Sequence, residues 1–266
     1  MEQPSNFATL RCSRRVWAVA SVHGDAARLR KLHAAVAQRL QPGDRLVYLG
    51  NIIGVGPDSG RAVDEVLRFR LAFLSRFGAF APDVALLRGA QEEMWQRLMQ
   101  LQFAVDPAQV LDWLIDRGAG AAIESYGGDI RAGRSAVRQG AAAITRWTGA
   151  LRVAFQKRPG HQSWLSALRH AAYTDDGGLL FVHRGVATER PLDAQADVFW
   201  WGDRNFDAID APYGGFRRVV RGFDPQHRGV VETPHTLSLD GGCGYGGTLI
   251  AGCIAADGAL ADAIEL

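Results

Sequence analysis

Apolar residues along the chain alternate between short continuous runs and longer stretches with helical spacing. Arg14 to Ser21 (RRVWAVAS) is a basic edge followed by an apolar run, and His23-Gly24 separates it from a helical pattern over Ala26 to Leu40. The same strand, glycine loop and helix recur at Arg45–Leu49, Gly50–Ser59 and Gly60–Phe77. A third unit has a strand over Asp83–Leu87, a turn at Arg88-Gly89 and a helix over Gln91–Gln102. Strands alternating with helices predict a largely parallel sheet, with a site where the glycine loops gather at the carboxyl ends of the strands.

From Trp95 to Tyr173 the periodicity is helical with few strand signals. Asp106-Pro107 supplies an N-cap and first-turn proline for a helix ending near Gly118, and Arg131–Val153 and His161–Ala172 predict two more. This middle reads as a helical insertion, at about 95–175, in one domain spanning 1–266. After Gly177-Gly178 the chain turns β-rich, with strands expected at Leu179–His183, Arg218–Arg221, Thr236–Leu239 and Thr248–Ile254, and a tight turn at Gly241–Gly247 (GGCGYGG).

Composition supports a globular chain: 266 residues, 47% hydrophobic and 22% charged, enough to bury a full core. The formal net charge of +2 is too near neutral for holding nucleic acid by bulk electrostatics. Cys12, Cys243 and Cys253 form no zinc-type pair or disulfide framework, so a reduced, cytoplasmic setting is expected. Met1 to Arg15 lacks a signal-like apolar run, and no stretch approaches the roughly 18 apolar residues that span a bilayer, so no membrane association is expected.

Six blocks in order, SVHGD (21–25), LGNIIGVGPDS (49–59), LRGAQEEM (87–94), FVHRGV (181–186), VRGFDP (220–225) and LDGGCGYGGTLIA (239–251), resemble the calcineurin-like metallophosphoesterases. The likeness is greatest to the bacterial serine/threonine protein phosphatases and diadenosine-tetraphosphate hydrolases. It implies an α/β (α+β) fold, a two-sheet β-sandwich flanked by helices, with metals in the loops at one end. In such enzymes two divalent cations about 3.5–4 Å apart activate a water that attacks phosphorus in line.

The resemblance also implies what is missing. The position of the first aspartate ligand is Ser21, that of the bridging aspartate Asn51, that of the asparagine ligand Ala90 and that of the last histidine Phe223, leaving His23 and His183. The general-acid histidine corresponds to Gln91, whose amide cannot deliver a proton, and the segment that orients the acid and grips phosphate is Gly54-Val55-Gly56. Two lost carboxylates remove the negative charge that offsets a pair of dications. The expectation is a pseudophosphatase without a metal cofactor, binding a protein partner or a phosphorylated ligand.

Two alternatives stay open at this level. One is a rebuilt, weakly active site with one Mn, Fe or Zn on His23 and His183, helped by Asp25, Glu92, Asp203 or Asp224. The other is a sensor holding a nucleotide or other anion on Arg184 and the backbone N–H groups around Gly50 and Gly89. Arg184, beside His183, is positioned to replace the lost metal charge or to recognise an anion; Arg88 and Arg204 are further ligand candidates. Phe199, Trp200 and Trp201 read either as core or as an exposed docking surface.

Overall fold

The computed structural model describes residues 6–202 and 206–266. Its strands are β1 (Phe7–Leu10), β2 (Arg15–Val19), β3 (Asp44–Tyr48), β4 (Val84–Leu86), β5 (Ala171–Thr174), β6 (Leu179–Val182), β7 (Arg218–Arg221), β8 (Gly229–Glu232), β9 (Thr236–Asp240), β10 (Ile250–Ala255) and β11 (Leu260–Glu265). The helices are α1 (Ala26–Ala37), α2 (Ser59–Leu74), α3 (Ala90–Leu98), α4 (Pro107–Leu114), α5 (Gly120–Ser125), α6 (Ile130–Gln139), α7 (Ala141–Gln156), α8 (His161–Ala167) and α9 (Val198–Trp201).

The strands form two mixed sheets rather than one largely parallel one. A six-stranded sheet runs β1-β5-β6-β7-β9-β8 and a five-stranded sheet runs β11-β10-β2-β3-β4. The parallel expectation holds within β2-β3-β4 and β6-β7-β9, while β10, β11, β5 and β8 add antiparallel pairings. Period-two alternation sorts each strand's residues between two cores. Val16, Ala18, Val47, Leu49, Phe181, Val220, Leu237 and Ile250 fill the space between the sheets. Trp17, Val19, Leu46 and Tyr48 share the larger core with Leu29, Leu32 and Val36 of α1 and with Val63, Val66 and Phe69 of α2.

Several element boundaries differ from the sequence reading. The helix expected over Arg131–Val153 is two, α6 and α7, broken at Gly140, whose φ of 96° only glycine adopts without strain. The helix expected to reach Ala172 stops at Ala167 because Ala171–Thr174 pairs in parallel with Phe7–Leu10, a long-range contact with no local signature. The helix opened by Asp106 ends at Leu114, where a π-helical turn, Ile115–Ala119, takes over. No helix among the described residues is long and apolar enough to cross a membrane.

Adjacent acids on α2 tie the layers together. Glu65 lies 2.7 Å from His33 Nδ1 on α1, and the same imidazole's Nε2 accepts from the Tyr48 hydroxyl on β3 at 2.8 Å. Asp64 reaches His161 Nε2 on α8 at 2.8 Å, with the Tyr126 hydroxyl 2.9 Å from Nδ1 of that ring. One carboxylate thus anchors the sandwich side and its neighbour anchors the helical region of residues 107–167. Burial works to raise the Glu65 pKa, but hydrogen bonds from His33 and Arg68 outweigh it and bring it down to about 2. Glu65→Ala, which leaves the His33 Nδ1–H buried without its acceptor, is expected to lower the unfolding free energy by about 3 kcal/mol in urea titrations. A loss within the scatter of surface substitutions would contradict this role.

Candidate functional site

Six loops meet at one end of the sandwich: Ser21–His23 after β2, Gly50–Ser59 after β3, Arg88–Gln91 after β4, His183-Arg184 after β6, Gly222–Asp224 after β7 and Gly241–Thr248 after β9. Their shape is set by Glu92, in the first turn of α3 and fully buried. Its Oε2 accepts the N–H groups of Asn51 (2.8 Å) and Gly89 (2.9 Å), and its Oε1 those of Ile52 (2.8 Å) and Ile53 (3.2 Å). Burial raises the Glu92 pKa while these N–H groups pull it the other way. The two loops approach so closely that a Cβ on Gly50, at φ 91°, would lie 2.7 Å from the Gly89 nitrogen.

The backbone N–H groups of Val22 and His23 both donate to the Asn51 carbonyl, at 3.0 and 2.7 Å, so the first histidine hangs from the Glu92-held loop. The Asn51 side chain turns inward, its Oδ1 accepting from Gln91 N at 2.9 Å and its Nδ2 3.4 Å from His23 Nε2. His183 donates from Nδ1 to the Leu49 carbonyl at 2.8 Å. Both imidazoles are buried and neutral: burial brings the pKa of each to about 3, with the neighbouring His183 and His227 adding to the effect at His23, and Arg184 at His183.

Phe223 stands against both rings. It stacks on His183 with centroids 5.6 Å apart and meets His23 edge to face at 5.9 Å. Tyr245 adds an edge contact to His23 at 5.1 Å, and His227 stacks on Tyr245 at 4.7 Å. The Arg184 guanidinium lies over the Phe223 ring, 5.4 Å from its centroid. Three of the expected ligand positions, His23, His183 and Phe223, therefore meet in an aromatic cluster with Tyr245 and His227, where a pair of dications needs several oxygen or nitrogen donors around each ion.

The carboxylates that could rebuild a metal site are engaged elsewhere. Asp25 caps α1 through Arg28 N at 2.9 Å, Asp224 is held by Arg221 at 3.1 Å and Arg228 at 2.6 Å, and Glu92 is fully occupied by backbone. Asp203 and Arg204 lie outside the described residues. Among the described residues no group of three or more His, Cys, Asp or Glu could hold a metal ion. Ser21 Oγ, His23 Nδ1 and His183 Nε2 are buried without hydrogen-bond partners, but two imidazoles and a hydroxyl carry no charge to offset two dications. This donor set does not fit a dinuclear centre.

A cavity of about 430 Å³ opens above this cluster, lined by His23, Asn51, Ala90, Gln91, Phe223, Tyr245, Trp201 and Arg184 on the sandwich side. Ile115–Gly118, the π-helical turn of the helical region, closes it from above. Gln91, at the general-acid position, donates from Nε2 to the Arg117 carbonyl at 2.7 Å, so its amide straps that turn over the cleft. Arg184 faces the cavity, and burial lowers its pKa. Arg88 is turned into an ion pair with Glu93 at 3.3 Å and a hydrogen bond to Gln96 at 3.0 Å, and it does not line the cavity. Phe199 and Trp200 are buried, while Trp201 is half-buried and lines the cavity.

Sequence reasoning missed Tyr245, His227 and the Ile115–Gly118 turn. Tyr245 sits in a stretch legible only as a glycine turn. His227 is four residues past Phe223, held by Asp240 at 2.8 Å, and carries no motif. The backbone N–H groups proposed as an anion nest near Gly89 are consumed by Glu92.

No family model matches the chain, and no curated protein matches its sequence. Solved structures do match its fold. A protein described as a diadenosine tetraphosphatase aligns over 98% of this chain and 97% of its own at 22% identity and a TM-score of 0.57. A protein serine/threonine phosphatase from Saccharomyces cerevisiae, with similarity to human phosphatase PP5, aligns over 93% and 76% at 11% identity and a TM-score of 0.55. A cold-active protein tyrosine phosphatase aligns over 97% and 80% at 15% identity and a TM-score of 0.54.

The neutral imidazoles make stability depend on pH. Below pH 6.5 the unfolded chain binds protons at His23 and His183 that the folded chain refuses until about pH 3. Stability is therefore full above 6.5 and falls on acidification, by up to about 1.4 kcal/mol per pH unit for each histidine. Urea unfolding at pH 7.5 and pH 5, in EDTA, is expected to show this loss. A flat profile between those pH values would contradict buried neutral rings.

Proposed function

On this calcineurin-like metallophosphoesterase fold, we propose that the chain binds a ligand in the remodelled cleft and does not hydrolyse phosphoesters. The observation that carries the reading is the Phe223 ring packed against His183 and His23. Carbon takes the place of a ligand atom, and the two surviving imidazoles face it as neutral groups.

The rest of the chemistry points the same way. In-line attack on phosphorus needs an activated water, charge stabilisation of the phosphoryl oxygens and a proton for the leaving group. Among the described residues no cluster of His, Cys, Asp or Glu supports metal activation, Val55 stands at the position of the phosphate-gripping arginine, and the Gln91 amide is tied to Arg117. A cleft rather than an outer face carries the binding reading, because the loop end holds a cavity of about 430 Å³ that the Arg184 guanidinium and the rings of Phe223 and Tyr245 line.

Purified chain given Mn²⁺ is expected to retain far less than one metal per molecule and to release p-nitrophenol from p-nitrophenyl phosphate no faster than buffer does. Phe223→His alone is expected to leave turnover at that background, since Ser21, Asn51 and Ala90 still lack the donors. Near-stoichiometric metal, with turnover abolished by His23→Ala, would overturn the reading.

A further inference from the structure

A second surface lies at the end of the molecule opposite the cleft, and it does not depend on the binding reading above. Strands β2, β3 and β4 run parallel, so the residues that precede them, Arg14, Gly43 and Phe80–Asp83, gather at the end away from the glycine loops. Between α2 and β4 the chain makes a tight turn, closed by the Ala79 N–H donating to the Arg76 carbonyl at 3.2 Å, with Gly78 at φ 75°. Phe77 stands at its tip, fully exposed. Phe80, just after the turn, is 69% exposed, and Leu71, one helical turn before Ser75, is 67% exposed. Large apolar side chains grouped in this way on a surface mark a place that something else covers.

The charge around the tip is one-sided. Asp83 pairs with Arg45 at 3.1 Å and Asp44 with Arg15 at 2.7 Å, so both acids are already neutralised. Asp175, which accepts the Cys12 N–H, is matched by the exposed Arg11 next to that cysteine. Three further arginines form no ion pair among the described residues: Arg14, which lies along Gly43, Arg70, beside Ala81 and Pro82, and Arg76, over the Phe73 ring. Free cations thus flank the protruding apolar side chains.

The tip is also convex. The cleft beneath Phe77, between Gly43 and Arg76, measures about 10 Å³, room for one water at most. A larger groove between β1 and β4 is lined by neither Phe77 nor Phe80. A protein partner's side chains find no pocket at these two rings, whereas a lipid surface needs none. Apolar tips enter the boundary of the acyl chains while guanidinium groups stay level with the phosphates.

We propose that this end of the protein docks on an anionic lipid surface, with Phe77, Phe80 and Leu71 inserted at the interface and Arg14, Arg70 and Arg76 on lipid phosphates. Such a contact needs no spanning segment, so the hydropathy pattern along the chain does not disclose it. In this pose the cleft faces away from the bilayer and stays open to solution.

Co-sedimentation of the full chain in EDTA with vesicles of phosphatidylcholine, alone or mixed with phosphatidylserine, tests this. Binding to the mixed vesicles is expected, with little to phosphatidylcholine alone. Raising NaCl from about 0.1 to about 1 M, which shortens the Debye length from about 10 to about 3 Å, should weaken it on the order of tenfold. Arg14→Gln and Arg76→Gln should each weaken it about fivefold. The double variant Phe77→Ser with Phe80→Ser leaves the charge unchanged and should weaken it on the order of tenfold or more. In Phe77→Trp, the added fluorescence should be quenched by lipids brominated on their acyl chains. Melting curves confirm that each variant is folded. Absence of binding, equal binding to both kinds of vesicle, or unchanged binding by the folded double serine variant would overturn the proposal. A dimer in sedimentation velocity that the double serine variant dissolves would assign the tip to a second copy of this chain and overturn it as well.

Discussion

Everything at the loop end of this protein depends on one buried carboxylate. Glu92 gathers four backbone N–H groups, three from the loop after β3 and one from the turn before α3. Each would otherwise be a buried unsatisfied donor, and together they fix the curvature of the Asn51 loop against Gly89. The next link is the Asn51 carbonyl, which accepts from Val22 and His23 and so sets the loop after β2. Every donor and acceptor in this chain of bonds is a backbone group or the Glu92 carboxylate, and none is a side chain at an expected ligand position.

What then occupies the cradle is decided by desolvation. Burial keeps the two imidazoles neutral beside Phe223, Tyr245 and His227, and their rings pack against these neighbours while His23 Nδ1 and His183 Nε2 are left without hydrogen-bond partners among the described residues. Arg184 is the charged group of this cluster, and its face-on position over Phe223 uses the ring quadrupole in place of an ion pair. Above it, the amide of Gln91 has become a tether to the π-helical turn at Ile115–Ala119. The result is a mostly apolar cavity bordered by the guanidinium groups of Arg184 and Arg117.

Much of this was legible in the sequence. Val16, Trp17 and Val19, and the RLVYL and LLFVH runs, mark strands because a short continuous apolar run is a local signal, and the glycine turns after them mark where the loops gather. The substitutions at Ser21, Asn51, Ala90, Gln91 and Phe223 were readable by position. Their mutual arrangement was not, because stacking of Phe223 on His183 joins residues forty apart, and Tyr245 and His227 join only once β9 is in its sheet. Pairing of Phe7–Leu10 with Ala171–Thr174 was invisible for the same reason: four-residue strands joined across the whole helical region have no local period. The sequence presents Glu92 only as a carboxylate near the lost ligand positions, whereas its environment of four N–H groups is a tertiary fact. The break at Gly140 was a local signal overlooked, since glycine between two apolar helical patterns permits a positive φ.

The central claim is that the space between His23 and His183 is filled by protein rings and holds no pair of cations. Anomalous diffraction from crystals grown in excess Mn²⁺ measures this directly. The account predicts no anomalous peak between the two histidines and ordered density for Phe223 stacked on His183. Two peaks about 3.5–4 Å apart at that place, with the Phe223 ring swung aside, would contradict it.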